Sequence, residues 1–491
     1  MQVGWRSLAA MMVLLWLRAA RPLPVQSLRR RGMAVGAPRR AQWSASSTAS
    51  TSAGLGGALP TVVLEKGKAR LFQDGNPIIY GGAVKAVEGK PEPGSEVAVT
   101  DHMGNSIGRG IFNPHSTYRV RMLSRAYESV HTLPLLDLLK ARIEQAVALR
   151  ASIGLPSKTN SVYRLINGEG DRLGGLVVDV FDKVVVAQSS AMWVEVHKAR
   201  IEEALLATLS GAGGKKKPVV VWRRAESRLK QDGWTGDMSD DQVPDSLRGA
   251  ILQVKENGLK FAVSPESGQK TGFYADQRAN RLALRAACAG KTVLDTYCYT
   301  GGFALNALTG GASHVVAVDS SQPALDAAAD NARLNGFSVA AAPDASLPAA
   351  PAPASASGQL ELVKGDCVEV MRRLAEEGRQ FDIVVCDPPK LAPSRKDLEK
   401  ARNKYVKINT LAVSLVRPGG LLLTCTCSAA MTQDGLEQGG GGGLLRVVGD
   451  AARQARREVT LLSTSGAAPD HPVSLGYREG AYLTSLLLHV H

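Results

Sequence analysis

Before Glu65 this chain of 491 residues has no acidic residue. The same stretch carries eight arginines and no lysine, and passes through a serine- and threonine-rich run from Ser44 to Ser52. A segment without acids cannot fold around internal ion pairs. Its composition is that of an organelle transit peptide, and residues 1–60 are expected to be one. A secretory signal is the rival reading, because Leu8 to Leu17 is apolar behind Arg6, and a plain disordered tail is a third. The basic, acid-free stretch continues well past any signal cleavage site, which favours import. Its hydroxyl content puts the chloroplast ahead of the mitochondrion.

Long apolar runs are missing as well. No stretch reaches the roughly 18 apolar residues of a spanning helix, so the mature chain is expected to have no membrane segment. Cysteine is absent from the N-terminal half; the six lie at 288, 298, 367, 386, 425 and 427. They form no C-x-x-C pair and no histidine cluster accompanies them, which argues against a zinc site and a disulfide framework. Reduced thiols and no metal are expected. The formal charge is +14, but eight of those charges belong to the leader, which leaves +6. A mildly basic mature chain suits a nucleic-acid partner without requiring one.

What is present divides into three units behind the leader. Residues 61–126 read as short strands broken by turns at Asn76-Pro77, Pro93-Gly94 and Gly104-Asn105, with Arg119, Arg121 and Arg125 near the end. Residues 127–263 read as a central α+β unit. It opens with helical spacing through Leu136, Leu139, Ile143 and Ala146. Strands follow, then a basic loop at Lys215 to Lys217, and the Asn257-Gly258 hairpin signal closes the unit. In residues 264–491 strand candidates (Thr292–Tyr297, His314–Asp319, Leu360–Lys364, Phe381–Asp387 and Gly420–Cys427) alternate with helical patterns. That alternation predicts an α/β domain with a doubly wound, Rossmann-like parallel sheet. Ala340 to Gly358 and the glycine run Gly439 to Gly443 read as low-complexity padding, although a helix is expected near the second.

Open sheets of this kind bind ligands at the carboxyl ends of their strands. Here those ends carry acids: Asp295, then Asp319 twenty-four residues later, then Asp366 and Asp387. A single such aspartate is more often a cap or turn residue; four in register point to a ligand. Asp295 is followed by Tyr299-Thr300-Gly301-Gly302-Phe303 at a helix start, where glycine lets backbone approach a ligand closely. The G-x-G-x-x-G dinucleotide pattern is absent, so no pyrophosphate cradle is expected. Acids at four strand tips suit a cationic cofactor that carries a nucleoside, with Asp319 placed to accept from ribose hydroxyls. S-adenosyl-L-methionine has that chemistry.

Residues 61–491 resemble the bacterial large-subunit (23S) ribosomal RNA cytosine-5 methyltransferase family. The resemblance is carried by Gly168-Glu169-Gly170-Asp171-Arg172-Leu173, Thr271-Gly272-Phe273-Tyr274-Ala275-Asp276-Gln277-Arg278, Tyr299-Thr300-Gly301-Gly302-Phe303, Asp387-Pro388-Pro389-Lys390, Thr426-Cys427-Ser428 and Asp470-His471-Pro472. It implies a PUA module, a central α+β domain and a seven-stranded class I methyltransferase domain acting on large-subunit ribosomal RNA. It further implies that Asp319 holds the ribose, Asp366 the adenine amino group and the 295–302 turn, with Asp295, Tyr299, Gly301 and Gly302, the methionine part. Phe273, Asp276, Gln277 and Arg278 would cover the cofactor from the preceding segment. A homodimer is left open.

Carbon 5 of cytosine is too weak a nucleophile to take a methyl group unaided. A thiolate adding to carbon 6 converts the ring to an enamine-like nucleophile. Cys425 and Cys427 share one face of their strand, and Cys427 lies nearer the tip where substrate must arrive. Cys386 should face the opposite side. Cys427 is therefore the expected nucleophile, with Asp387 holding the cytosine edge. Rival readings are a purine-nitrogen enzyme, a uracil carbon-5 enzyme and a non-catalytic RNA-binding assembly factor. The first commonly needs an aromatic after D-P-P, where this chain has Lys390.

Overall fold

The computed structural model describes residues 59–211, 218–236, 238, 243–266, 271–341, 358–392, 395–434 and 442–491. The expected transit peptide (all but its last two residues), the Lys215–Lys217 loop, most of the Ala340–Gly358 insert and the start of the glycine run lie outside them. Among the described residues no helix is long and apolar enough to cross a membrane.

The first unit is a mixed sheet of six strands: β1 (Thr61–Leu64), β2 (Ile78–Tyr80), β3 (Val84–Glu88), β4 (Glu96–Thr100), β5 (Ser106–Phe112) and β6 (Tyr118–Arg125). They pair in the order β2-β6-β5-β4-β1-β3. Alternation builds the core: Val62, Leu64, Val97, Val99 and Val120 all point inward and are fully buried. Ile78 and Ile79 are buried too, so that stretch serves packing. The three flagged arginines are all engaged: Arg119 donates to the Pro114 carbonyl, Arg125 to the Asn76 carbonyl, and Arg121 pairs with Asp232.

The central unit starts with helix α1 (Leu135–Ser152), whose buried stripe includes Leu138, Leu139, Ile143 and Ala146. A four-stranded sheet follows, ordered β10-β9-β8-β7 from β7 (Val162–Asn167), β8 (Leu176–Phe181), β9 (Val184–Ser189) and β10 (Val219–Arg224). Helix α2 (Lys198–Gly211) packs beside α1. The hairpin β11 (Leu252–Glu256) and β12 (Leu259–Val263) forms at Asn257-Gly258, where both residues take positive φ. It leans on the C-terminal domain: the N–H groups of Lys260 and Ala262 donate to the side chains of Asn335 and Asn331, each at 2.8–2.9 Å.

The C-terminal domain enters through helix α3 (Arg278–Arg285) and then β13 (Thr292–Thr296), α4 (Gly302–Thr309), β14 (His314–Asp319), α5 (Gln322–Leu334) and β15 (Ser338–Ala341). It continues with β16 (Gln359–Lys364), α6 (Cys367–Glu376), β17 (Phe381–Cys386), α7 (Leu398–Leu415), β18 (Val416–Thr426), α8 (Gly442–Gln454), β19 (Val459–Ser465) and β20 (Thr484–Val490). The sheet order is β15-β16-β14-β13-β17-β18-β20-β19, with β20 antiparallel to both neighbours. Seven of these strands make the expected doubly wound sheet. The eighth, β15, is a four-residue edge strand that pairs beside β16 and runs into the start of the alanine-rich insert at Ala340 and Ala341. Helix α8 begins at Gly442, inside the glycine run.

Alternation along the central strands feeds two cores. Val293, Val315, Ile383, Val385 and Leu423 pack with Phe303 and Leu325 on one face. Leu294, Val316, Val384, Cys386 and Leu422 pack with Met371 and Tyr405 on the other.

Asp470-His471-Pro472 ties this domain to the central one. Asp470 is fully buried and accepts two hydrogen bonds from Arg278, at 2.7 and 3.0 Å, and one from the Arg164 N–H at 2.9 Å. Its own carbonyl accepts from Arg150, which also grips Asp171 of the Gly168–Leu173 motif. Gly170 lies flat against Pro472: an added Cβ would sit 2.0 Å from the Pro472 carbonyl oxygen. Three of the motifs thus meet as a clasp between domains.

Candidate active site

The four acids stand at the carboxyl ends of four adjacent strands, β16, β14, β13 and β17. Asp295 is buried at the tip of β13, and its Oδ2 accepts from the Ala304 N–H at 2.9 Å. Its Oδ1 is buried and accepts no hydrogen bond among the described residues. Burial, above all, pushes this carboxyl up to about 8, with Asp387 and Asp319 adding to the effect. The chain leaves β13 through Tyr297 and Tyr299, both at positive φ, and Gly301 at φ +84° opens α4. Two tyrosines in the left-handed region are strained. Asp319 helps hold the turn: its Oδ2 accepts from the Tyr299 N–H at 3.0 Å and its Oδ1 from the Ser321 N–H at 2.9 Å.

Asp366 caps helix α6, its Oδ1 accepting from the N–H groups of Val368 and Glu369 at 2.9 and 3.1 Å. Helix capping is therefore the role its contacts display.

The 271–278 segment lies beside the turn. Tyr274 meets Tyr299 edge-on with ring centroids 5.3 Å apart. Phe273 is buried against Phe261, and Arg278 is turned to Asp470 in the clasp. Those two side chains are occupied with packing, whereas Asp276 and Gln277 face the site. Tyr482 donates its hydroxyl to Asp276 at 2.8 Å. Gln277 donates to Asp387 at 2.9 Å, while its own amide oxygen accepts from Asn280 at 2.6 Å. Asn280 accepts in turn from Ser465 at 2.7 Å. This relay orients the Gln277 amide so that its NH₂ addresses Asp387.

Five of the six cysteines are buried; Cys427 is half-buried. Burial pushes the Cys288 and Cys386 thiols up to about 12 and also drives Cys425 well above the usual thiol range. Cys386 packs in the second core, on the face away from Cys425. Cys425 donates to the Ser485 hydroxyl at 3.3 Å. Cys427 follows β18 directly, and both residues beside it are pinned. The Thr426 hydroxyl meets Tyr405 at 2.7 Å and Ser428 donates to the Ala392 carbonyl at 2.7 Å. Cys427 and Asp387 follow the ends of two adjacent parallel strands, β18 and β17, whose register pairs Thr424 with Cys386. Burial, above all, raises the hydroxyls of Tyr274 and Tyr405.

Asn280, Ser465, Tyr405 and Tyr482 escaped the sequence reading. Ser465 meets Asn280 across 185 residues and Tyr482 meets Asp276 across 206, so no local pattern announces either. Among the described residues no group of three or more His, Cys, Asp or Glu is arranged to hold a metal ion.

A doubly wound sheet with acids at four strand tips, behind a small β module, defines a class of protein, and comparison with known proteins agrees. The S-adenosylmethionine-dependent methyltransferase family pattern matches residues 239–441, and that of the PUA-like domain residues 62–125. Among curated relatives, ribosomal RNA large subunit methyltransferase I of Klebsiella pneumoniae is 34% identical over 428 residues, 86% of this chain and 96% of the relative. The same enzyme of Photobacterium profundum is 36% identical over 431 residues, 88% of this chain and 99% of the relative. The chain belongs to the ribosomal RNA large subunit methyltransferase I family and is an S-adenosylmethionine-dependent methyltransferase. Two solved structures share the fold at 18% identity, each covering 87% of this chain and 99% of its own. One is a candidate methyltransferase complexed with SAH, at a TM-score of 0.67; the other is a candidate SAM-dependent methyltransferase from Streptococcus mutans, at 0.65.

The site fits the cofactor this family uses. A buried carboxylate oxygen without a partner among the described residues, beside a turn that places Gly301 at positive φ, is a ready acceptor for a ligand ammonium.

Proposed function

We propose that the protein methylates carbon 5 of a cytosine in large-subunit ribosomal RNA, with Cys427 as the nucleophile. One observation carries the reading: Cys427 is the sole cysteine of the six that is not buried, and it follows the end of β18, the strand next to the one that leads into Asp387. Asp319 would hold the cofactor ribose, Asp366 the adenine, and the 295–302 turn the methionine portion. Bound S-adenosylmethionine supplies an electrophilic methyl group. The Cys427 thiolate adds to carbon 6 of the cytosine, forming a C–S bond and moving the ring electrons toward carbon 5. Asp387, held by Gln277, takes the hydrogen-bonding edge of the base and fixes its orientation. Once carbon 5 bears the methyl group, a base takes the carbon 5 proton, the electrons of that C–H bond restore the ring double bond, and the C–S bond breaks with its electron pair returning to sulfur, freeing the Cys427 thiolate. The pinned flanks, Thr426 and Ser428, keep the sulfur in place through both steps.

RNA carrying 5-azacytidine at the target should become covalently attached to the protein, because the ring nitrogen has no proton to lose and elimination stalls. Cys427→Ser should abolish attachment and turnover together while cofactor binding persists. Full activity of Cys427→Ser without an adduct would overturn covalent cytosine chemistry and leave the purine-nitrogen reading in its place. Activity lost in Cys425→Ser instead would move the nucleophile two residues back. For the leader, a reporter fused to residues 1–60 should enter the chloroplast; secretion of that reporter would defeat the organelle reading.

A further inference from the structure

A cleft of about 480 Å³ opens where the β module, the central unit and the C-terminal segment meet. That volume is in the range of small-molecule sites and too small for a duplex. One wall is built and fully satisfied. Arg121 is buried, donates to Asp232 at 3.1 Å, lies 3.6 Å from Glu169, and sits 5.0 Å over the Tyr118 ring. The other oxygen of Asp232 accepts from the Met192 N–H at 2.8 Å. Tyr477 of the C-terminal segment closes the same side. Three further lining groups are left available: among the described residues, the side chains of Gln188, Gln231 and Arg228 make no hydrogen bond or ion pair. Tyr482, also in the wall, donates to Asp276, which precedes the Gln277 that holds Asp387. The cleft therefore borders the active site without being part of it.

We infer that this cleft is a second RNA subsite, which takes an unpaired nucleotide flanking the target base. Two amides that can each donate and accept suit a base edge, and a free guanidinium suits a phosphate. A base edge and a phosphate joined in one small ligand describe a nucleotide. Its position beside the site makes that nucleotide a chain neighbour of the target. The assignment rests on the RNA reading above and adds to it a place where sequence context is read.

The test is the triple variant Gln188→Ala, Arg228→Ala, Gln231→Ala in the full chain, assayed on transcribed large-subunit ribosomal RNA. The RNA KM should rise by about tenfold or more, while kcat and S-adenosylmethionine affinity stay within about twofold. RNA carrying 4-thiouridine next to the target should crosslink to the peptides of Tyr118 or Tyr477. An unchanged KM with crosslinks confined to other surfaces overturns the subsite. If the wild-type chain binds this RNA but transfers no methyl group, the proposed function falls by itself. The subsite is then judged by anisotropy titration: weaker RNA binding by the triple variant upholds it, and equal binding overturns it.

Discussion

Asp470 receives two hydrogen bonds from Arg278, one from His471 at 3.1 Å and one from the Arg164 backbone, whereas Asp295, equally buried, receives a single backbone N–H and keeps one oxygen without a partner among the described residues. Burial acts to raise both carboxyls. At Asp470 the His471 hydrogen bond and the Arg278 charge outweigh it and hold the group well below the ordinary carboxylate range. At Asp295 nothing outweighs it, and the group rises to about 8. A completed carboxylate holds two domains together; an incomplete one is kept at a cost in stability, which is expected where a ligand finishes the set.

The comparison can be broken most forcefully at Asp470. Asp470→Ala leaves Arg278 buried and uncompensated, and should cost about 3–5 kcal/mol in denaturant unfolding. An unchanged midpoint would mean the clasp does not hold the domains. Asp319→Ala comes next. Losing the ribose acceptor should weaken S-adenosylmethionine binding by about 1.5–3 kcal/mol in calorimetry. Unaltered affinity would remove Asp319 from the cofactor site.

The pH dependence separates the two carboxyls by sign. The folded value of Asp295 lies above its ordinary 3.8, so its contribution to stability is complete below about pH 4 and is lost as pH rises toward about 8. Asp470 is depressed, so its contribution is present above about pH 4 and is lost on further acidification. Asp295→Asn should therefore flatten the decline of the ligand-free protein between about pH 4 and 8, and lower cofactor affinity about tenfold at pH 8. A decline that survives the substitution would show that Asp295 is not its source. The smallest effect is expected at Cys425→Ser. The hydroxyl can still reach Ser485, so the change should cost less than about 1 kcal/mol and leave turnover within about threefold. Loss of methyl transfer there would shift the chemistry from the strand tip to its interior.

Much of the site was legible because its signals are local. A period of two put Cys425 and Cys386 on opposite faces of the sheet, and their separate surroundings follow from that alternation. The acids at the strand tips were readable for the same reason. Other readings stopped at identity. Arg278 and Phe273 sit in a motif whose neighbours face the site, yet one is claimed by Asp470 and the other by Phe261. Which member of a motif faces the ligand depends on the element packed behind it.

The sequence alone determined the order of strands and helices, the strand ends that carry charge, and the cysteine nearest a tip. These follow from side-chain periodicity and turn chemistry, which act over a few residues. Only the tertiary structure decided that Asp470, 192 residues beyond Arg278, completes a buried pair, that Ser465 steadies Gln277 through Asn280, and that three domains enclose a polar cleft. Those contacts arise from the docking of finished faces. Periodicity says which face is apolar; it does not say which side chain of one unit will meet which of another.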